Sequence, residues 1–361
     1  MSKSNEPAHY PVVNCFNEWD PLEEIIVGVL DGACVPPWHI TLQATVPERY
    51  WDFYRRYQGK RFPQEQIEAG NRDLDELVRI LEREGVSVRR PDAIDHTKPF
   101  STPEWESGGG LYAAMPRDGL LVIGDEIIEA PMAWRSRYFE ASPYRPIIKS
   151  YFDKGARWSA APKPQLSDAL YDYDFPAECG ENPRSVITEF EPTFDAADFI
   201  RCGRDIIAQK SQVTNSFGIE WLRRHLGDRY RVHEVSFNDP HPMHIDATIM
   251  PLAPGKLLAN PERVEKVPKI FKGWDVLYAP QPLIPDEHIL YMTSKWITMN
   301  VLMLDQERVI VERSEEPLIK SLKGWGFKPI TCNFRNFNSF GGSFHCATLD
   351  IRRRGGLESY F

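Results

Sequence analysis

The chain has 361 residues, 42% of them hydrophobic and 26% charged, with a formal net charge of -9. So much apolar material supports a large buried core and fits neither a disordered chain nor a small stapled fold. The acidic balance argues against a nucleic-acid partner, since phosphate binding needs a basic surface.

In chain order, Met1 to Pro11 is polar and lacks the apolar core of a signal peptide, and no window approaches the roughly 20 apolar residues that span a bilayer. Residues 1–12 read as a tail and 13–361 as one domain of a cytoplasmic protein. Glu23 to Leu30 reads as a strand, Gln66 to Glu84 as an amphipathic helix and Val86 to Arg90 as a second strand.

Gly119 to Ala130 is then an apolar run, a Gly-Asp turn and another apolar run, the signature of a hairpin. A helix over Arg145 to Lys154 and a strand near Trp158 follow. The pattern returns at Ala197 to Gln209, with a helix over Gly218 to Leu226 and a strand over Tyr230 to Phe237. It returns again at Ala247 to Asn260, with a helix over Val264 to Lys272 and a strand over Asp275 to Pro280. The fourth hairpin, Met299 to Glu312, precedes a helix over Pro317 to Lys323 and a strand over Phe327 to Asn333.

Cys346 to Arg353 alternates like a strand that pairs with the N-terminal unit; its basic run, Arg352-Arg353-Arg354, reads as a solvated or ion-paired strand end. Five ββαβ units predict a closed circular array, because such repeats bury their faces only against neighbours. An ordinary multi-layer α/β domain is the alternative. Closure places Cys346 at the inner end of the last strand.

Six cysteines (Cys15, Cys34, Cys179, Cys202, Cys332, Cys346) lie far apart with no CxxC pair, which suits reduced thiols and not a zinc site. Gly108-Gly109-Gly110 lacks both the GxxxxGK[ST] and the GxGxxG frames, so no motif supports a nucleotide cofactor. Neither a cofactor nor a metal is expected.

Cys346 differs from the other cysteines because it follows Gly341-Gly342-Ser343-Phe344-His345, where a glycine pair permits close backbone approach. Its plain reading is a small buried hydrophobe. Carboxylates precede the second hairpin in Glu191 to Asp198, and imidazoles and carboxylates precede the third in Asp239 to Asp246. If equivalent positions converge on an axis, Asp195, His244, Asp246 and Cys346 meet there, giving a nucleophile, a proton-transfer group and its orienter. Asp195 also reads as a turn cap, His244 as a structural histidine, and His241 with His244 as an HxxH metal pair without a suitable third ligand.

These residues also carry a family likeness. Asn17 to Glu24 (NEWDPLEE), Met115 to Asp118 (MPRD), Ala130 to Arg137 (APMAWRSR), Phe194 to Asp198 (FDAAD), Met243 to Thr248 (MHIDAT) and Gly341 to Cys346 resemble the arginine-dependent amidinotransferases, over about Val13 to Tyr360 and most fully their glycine-type branch.

That resemblance implies a five-bladed ββαβ pseudo-propeller with its site on the axis, L-arginine and an amine acceptor as substrates, and a homodimer. By resemblance Cys346 attacks the guanidino carbon, His244 shuttles the proton, and Asp195 orients His244. Asp118 and Asp246 match the carboxylates that grip the guanidinium. Arg263 matches the binder of the substrate α-carboxylate, with Thr293 and Ser294 nearby in place of a Ser-Ser pair; Ser343 replaces a family glycine.

His241 and Met243 fall in a loop associated with acceptor choice. His241 stands where the glycine-type branch has Asn, which favours a larger primary amine, lysine first and a pathway-specific amino compound next, over glycine. A guanidine hydrolase or deiminase on the same fold, and a noncatalytic binding protein, are the competing readings.

Overall fold

The computed structural model describes residues 11–176 and 184–361. Cys179 and residues 1–10 of the polar tail lie outside them. The described residues mix helix and strand in an α/β fold, with five three-stranded sheets and one two-stranded sheet.

Four of the three-stranded sheets are built alike. In the first, strand Leu120–Ile123 pairs antiparallel with Glu126–Glu129, which pairs parallel with Arg157–Ala160. The tight turn between the hairpin strands has Gly124 at φ +61, a conformation open to a residue without a Cβ. The parallel third strand requires a crossover, here containing helix Arg145–Phe152, whose Ile147, Ile148 and Tyr151 are buried. The same antiparallel-then-parallel order joins Phe199–Cys202, Asp205–Gln209 and Arg231–Val235, then Ile249–Ala253, Lys256–Ala259 and Asp275–Tyr278. It also joins Leu302–Met303, Arg308–Glu312 and Lys328–Cys332.

The fifth sheet is assembled from both ends of the chain. Leu22–Val27 pairs parallel with Ser87–Arg89 after helix Gln64–Arg83, and antiparallel with Thr348–Arg353. The C-terminal strand thus holds the place taken in the other four sheets by the first hairpin strand. Within the long helix Ile67, Leu74, Leu77 and Leu81 fall on one buried face, each side chain stabilising the fold by about 1.5–3 kcal/mol relative to exposure.

Two elements depart from the sequence reading. Val264 to Lys272 holds only the 3-10 turn Lys269–Phe271, because Pro268 lacks an amide N–H and its ring clashes with a helical turn before it. Cys346 lies two residues before strand Thr348–Arg353 rather than in it. The basic run is ion-paired, as expected: Arg352 pairs with Glu23 and Glu24, and Arg353, which is buried, has Nε 2.8 Å from Asp350 Oδ2.

Candidate active site

Most of the polar groups of the site occupy one kind of position, the short turn that leads into the first strand of a sheet. Asp118 lies in the turn Pro116–Gly119 before Leu120, and Asp195 stands at the start of the 3-10 turn Ala196–Asp198 before Phe199, with no capping bond from its side chain. His244 and Asp246 begin and lie within the turn Ile245–Ala247 before Ile249. Asn300 follows the turn Lys295–Met299 before Leu302, and Cys346 precedes Thr348. A turn entering a buried strand sends its side chains to the sheet's end, so equivalent turns supply one shared site from sequence positions far apart.

Cys346 is 3% exposed, and its backbone N–H donates to Asn300 Oδ1 at 3.0 Å. A Cβ on Gly342 would stand 2.4 Å from Met115 Sδ and 2.9 Å from Cys346 Cβ, so the glycine is required by the packing around the thiol. Burial pushes the Cys346 thiol up to about 12, the negative charges of Asp246 and Asp118 add to this, and the hydrogen bond and charge of His244 oppose it.

His244 is held by carboxylates and has φ +60, a rare conformation for a residue with a Cβ. Its Nε2 lies 3.0 Å from Asp195 Oδ2 and its Nδ1 3.7 Å from Asp118 Oδ1. Burial alone would lower the His244 pKa, but Asp118, Asp195 and the Cys346 contact together raise it well above 6.5. Arg137 lies between the same carboxylates: Nη2 is 2.8 Å from Asp118 Oδ2 and Nη1 3.2 Å from Asp195 Oδ2, while Nε donates to Glu140 Oε2 at 2.7 Å.

Asp246 forms the other wall. Its Oδ2 is 3.6 Å from Cys346 Sγ and 2.7 Å from His345 Nδ1. Burial pushes its carboxyl up, yet the hydrogen bond and charge of His345, followed by the charge of His244, bring it below the usual carboxylate range. The Oδ1 atoms of Asp118, Asp195 and Asp246 have no hydrogen-bond partner among the described residues. Two of these oxygens, on Asp118 and Asp246, share the cavity of the Cys346 thiol and fit a planar cation rich in N–H donors.

A cavity of about 40 Å3 is lined by Cys346, His244, Asp118, Asp246, Arg137 and Tyr112, among others. Asp195 stands behind His244 rather than in its wall. Met243, Ala247, Met292 and Thr293 are shared with an outer cleft of about 710 Å3. Arg263, Ser294 and His241 line that cleft and not the inner cavity. Arg263 has Nε 3.0 Å from Asp239 Oδ2 and Nη2 3.4 Å from Ser294 Oγ, while His241 Nδ1 is 3.0 Å from the Ala44 carbonyl.

Among the described residues, ligand atoms of Asp118, Asp195 and His244 lie close enough together to hold an ion, but Arg137 already bonds both carboxylates. His241 is not part of that group.

Sequence reasoning passed over Arg137, Asn300, His345 and Glu18. Arg137 lies in the APMAWRSR segment without a role of its own, and His345 was read only as a neighbour of the thiol. Asn300 was discoverable from the repeat, since it occupies in the fourth unit the place that carries Asp118, Asp195 or Asp246 in the others. Glu18 has no local signal, because its partner Arg201 is 183 residues away.

No family model matches the chain. It is 63% identical over 346 residues to the L-arginine:L-lysine amidinotransferase of Pseudomonas savastanoi pv. phaseolicola, covering 96% of this chain and 95% of that one. It is 53% identical over 369 residues to the mitochondrial glycine amidinotransferase of Gallus gallus, covering 100% and 87%. Among solved structures, an amidinotransferase of the saxitoxin biosynthetic pathway from Microseira wollei superimposes with a TM-score of 0.93 at 55% identity, covering 97% of this chain and 100% of that one. With such identity along almost its whole length, and with a thiol, an imidazole and guanidinium-sized carboxylates around one cavity, the chain belongs to the amidinotransferase family.

Proposed function

We propose that the protein transfers the amidino group of L-arginine to a primary amine through a covalent amidino-cysteine at Cys346. The observation that carries this is the inner cavity, where Cys346 and His244 share walls with Asp118 and Asp246. The two carboxylates hold the guanidinium, and Arg263, Thr293 and Ser294 at the outer cleft receive the α-carboxylate end.

Arginine enters as a cation and offsets the negative field that holds the Cys346 proton in place. The Cys346 proton then leaves to solvent, the thiolate bonds to the guanidino carbon as a carbon–nitrogen π pair moves onto nitrogen, and the thiolate freed at the end of the cycle regains its proton as product leaves. His244 gives its proton to the substrate nitrogen as the carbon–nitrogen bond breaks, and ornithine leaves as a neutral amine. The neutral imidazole then takes a proton from the acceptor amine as that amine attacks the amidino carbon and the carbon–sulfur bond breaks. Asp195 stabilises the imidazolium and fixes its ring through Nε2.

For the acceptor, a larger primary amine with a distant carboxylate, lysine first and a pathway-specific amino compound next, is favoured over glycine. Ornithine and the acceptor occupy the same place in turn, and lysine differs from ornithine by one methylene. The outer cleft also offers Glu48, Asp239 and Glu262 near Arg263, a mixture suited to the two ends of an amino acid. His241 and Met243 line it and shape that choice.

The five like sheets, and the pairing of the last strand with the first, support a five-bladed ββαβ pseudo-propeller that forms one domain over residues 13–361. A cytoplasmic homodimer completes the reading; no helix among the described residues is long and apolar enough to cross a membrane.

The test is an acceptor screen with arginine as donor, scored by ornithine release and product mass, with intact mass of the protein and Cys346→Ala as control. Ornithine released in step with an amidinated acceptor supports transfer. Citrulline and ammonia in its place would establish hydrolysis and sink this reading.

A further inference from the structure

His345, next to the nucleophile and 2% exposed, stands between two carboxylates. Its Nδ1 lies 2.7 Å from Asp246 Oδ2 and its Nε2 3.1 Å from Glu18 Oε2. Both contacts are hydrogen bonds only when both ring nitrogens carry protons, because a carboxylate oxygen facing each can only accept. The far carboxylate is itself fixed: Arg201 reaches Glu18 at 2.8 Å through Nε and 2.6 Å through Nη2. The main chain is fixed as well, since the His345 carbonyl accepts from Arg117 Nε at 2.7 Å.

The consequence falls on Asp246. One oxygen is tied to His345, and the other, Oδ1, is buried without a partner among the described residues. A buried carboxylate close to Asp118 and the thiol would otherwise take up a proton or turn away, and either change removes an acceptor for a cation.

We propose that His345 is a positioning residue: as an imidazolium braced by Glu18, it fixes the rotamer and the charge of Asp246 so that Oδ1 faces the arginine guanidinium. This rests on the reading of Asp246 as a guanidinium-binding carboxylate.

Two variants of similar size separate positioning from packing. His345→Asn puts an amide nitrogen where Nδ1 stood, and His345→Gln puts one where Nε2 stood; both remove the charge. His345→Gln is expected to raise KM for arginine about tenfold or more, and His345→Asn about threefold less than that. In an Asp246→Asn background, His345→Gln should change KM by less than about threefold, because the group it positions is already gone.

Equal KM increases in the two variants, KM within about threefold of wild type for both, or an undiminished effect in the Asp246→Asn background each overturns the proposal. Should the variants fail to fold, nitrogen-15 spectra of wild-type protein labelled at histidine decide the matter. Two protonated ring nitrogens at His345 are required, and one unprotonated nitrogen overturns the proposal. A wild type that releases no ornithine, or an Asp246→Asn variant with unchanged KM, instead overturns the underlying reading of the site.

Discussion

Asn300 and Cys346 are joined by a single hydrogen bond, 3.0 Å from the Cys346 amide nitrogen to Asn300 Oδ1. It ties the turn before one sheet to the thiol-bearing residue before another. Asn300→Ala leaves a buried N–H unpaired, which costs about 1–3 kcal/mol. The expected result is a lower melting temperature and a fall in kcat of about tenfold or more with little change in KM for arginine. Steady-state kinetics and thermal denaturation check both parts.

Gly342→Ala should be harsher than a surface glycine change. The added methyl meets Met115 and the Cys346 side chain at distances that packed atoms do not tolerate, so overpacking of about 1–3 kcal/mol is expected. Gly356→Ala, whose Cβ would meet nothing within 4 Å, is the control and should leave ornithine release unchanged.

The protonation of His244 gives stability a defined pH dependence. Its pKa in the folded protein is raised well above 6.5, the ordinary value. The stabilisation from its partners is therefore fully present below pH 6.5 and is lost as pH rises through the raised folded value. The melting-temperature gap between wild type and His244→Asn should narrow with rising pH; a gap that widens refutes the assignment. Asp195→Asn should shift the loss to lower pH and reduce kcat by about 100-fold or more.

Arg137→Met should destabilise the protein by about 3–5 kcal/mol, because it leaves Asp118, Asp195 and Glu140 buried without their shared cation. Lysine at this position cannot match a planar fork that serves three carboxylates, so Arg137→Lys should recover only part of the loss. Denaturant unfolding of both variants tests the order.

His241→Asn should move acceptor preference toward glycine. A contact worth about 1–3 kcal/mol corresponds to a change of roughly 10- to 200-fold in the ratio of kcat/KM for glycine to that for lysine. Competition between the two acceptors at fixed arginine measures the ratio directly.

The hairpins were legible because two apolar runs across a tight turn have one common solution, and the helices between them because their buried residues recur at helical spacing. The helix expected over Val264 to Lys272 failed at Pro268, whose backbone cost outweighed the apolar spacing. The helix Trp51–Tyr57 went unread because its aromatic residues pack against distant partners; Tyr291, for example, stacks on Phe53. At the site, Cys346, His244 and the carboxylates announce themselves by residue type and place in the repeat. Arg137, Glu18 and His345 do not, because a buried charge has meaning only beside its counter-charge, and most of those lie on other elements.

The pairing of Thr348–Arg353 with Leu22–Val27 also sets an order in time. During synthesis Asp246 emerges 100 residues ahead of Cys346, and Asp118, Asp195 and His244 emerge earlier still. The carboxylates of the site are therefore made before its sulfur. The strand that follows the sulfur joins the first strand only after a long loop has closed, a slow step for any chain. Amidination of the cysteine would thus report the finished protein, and a pulse of arginine during refolding would mark the moment at which its two ends meet.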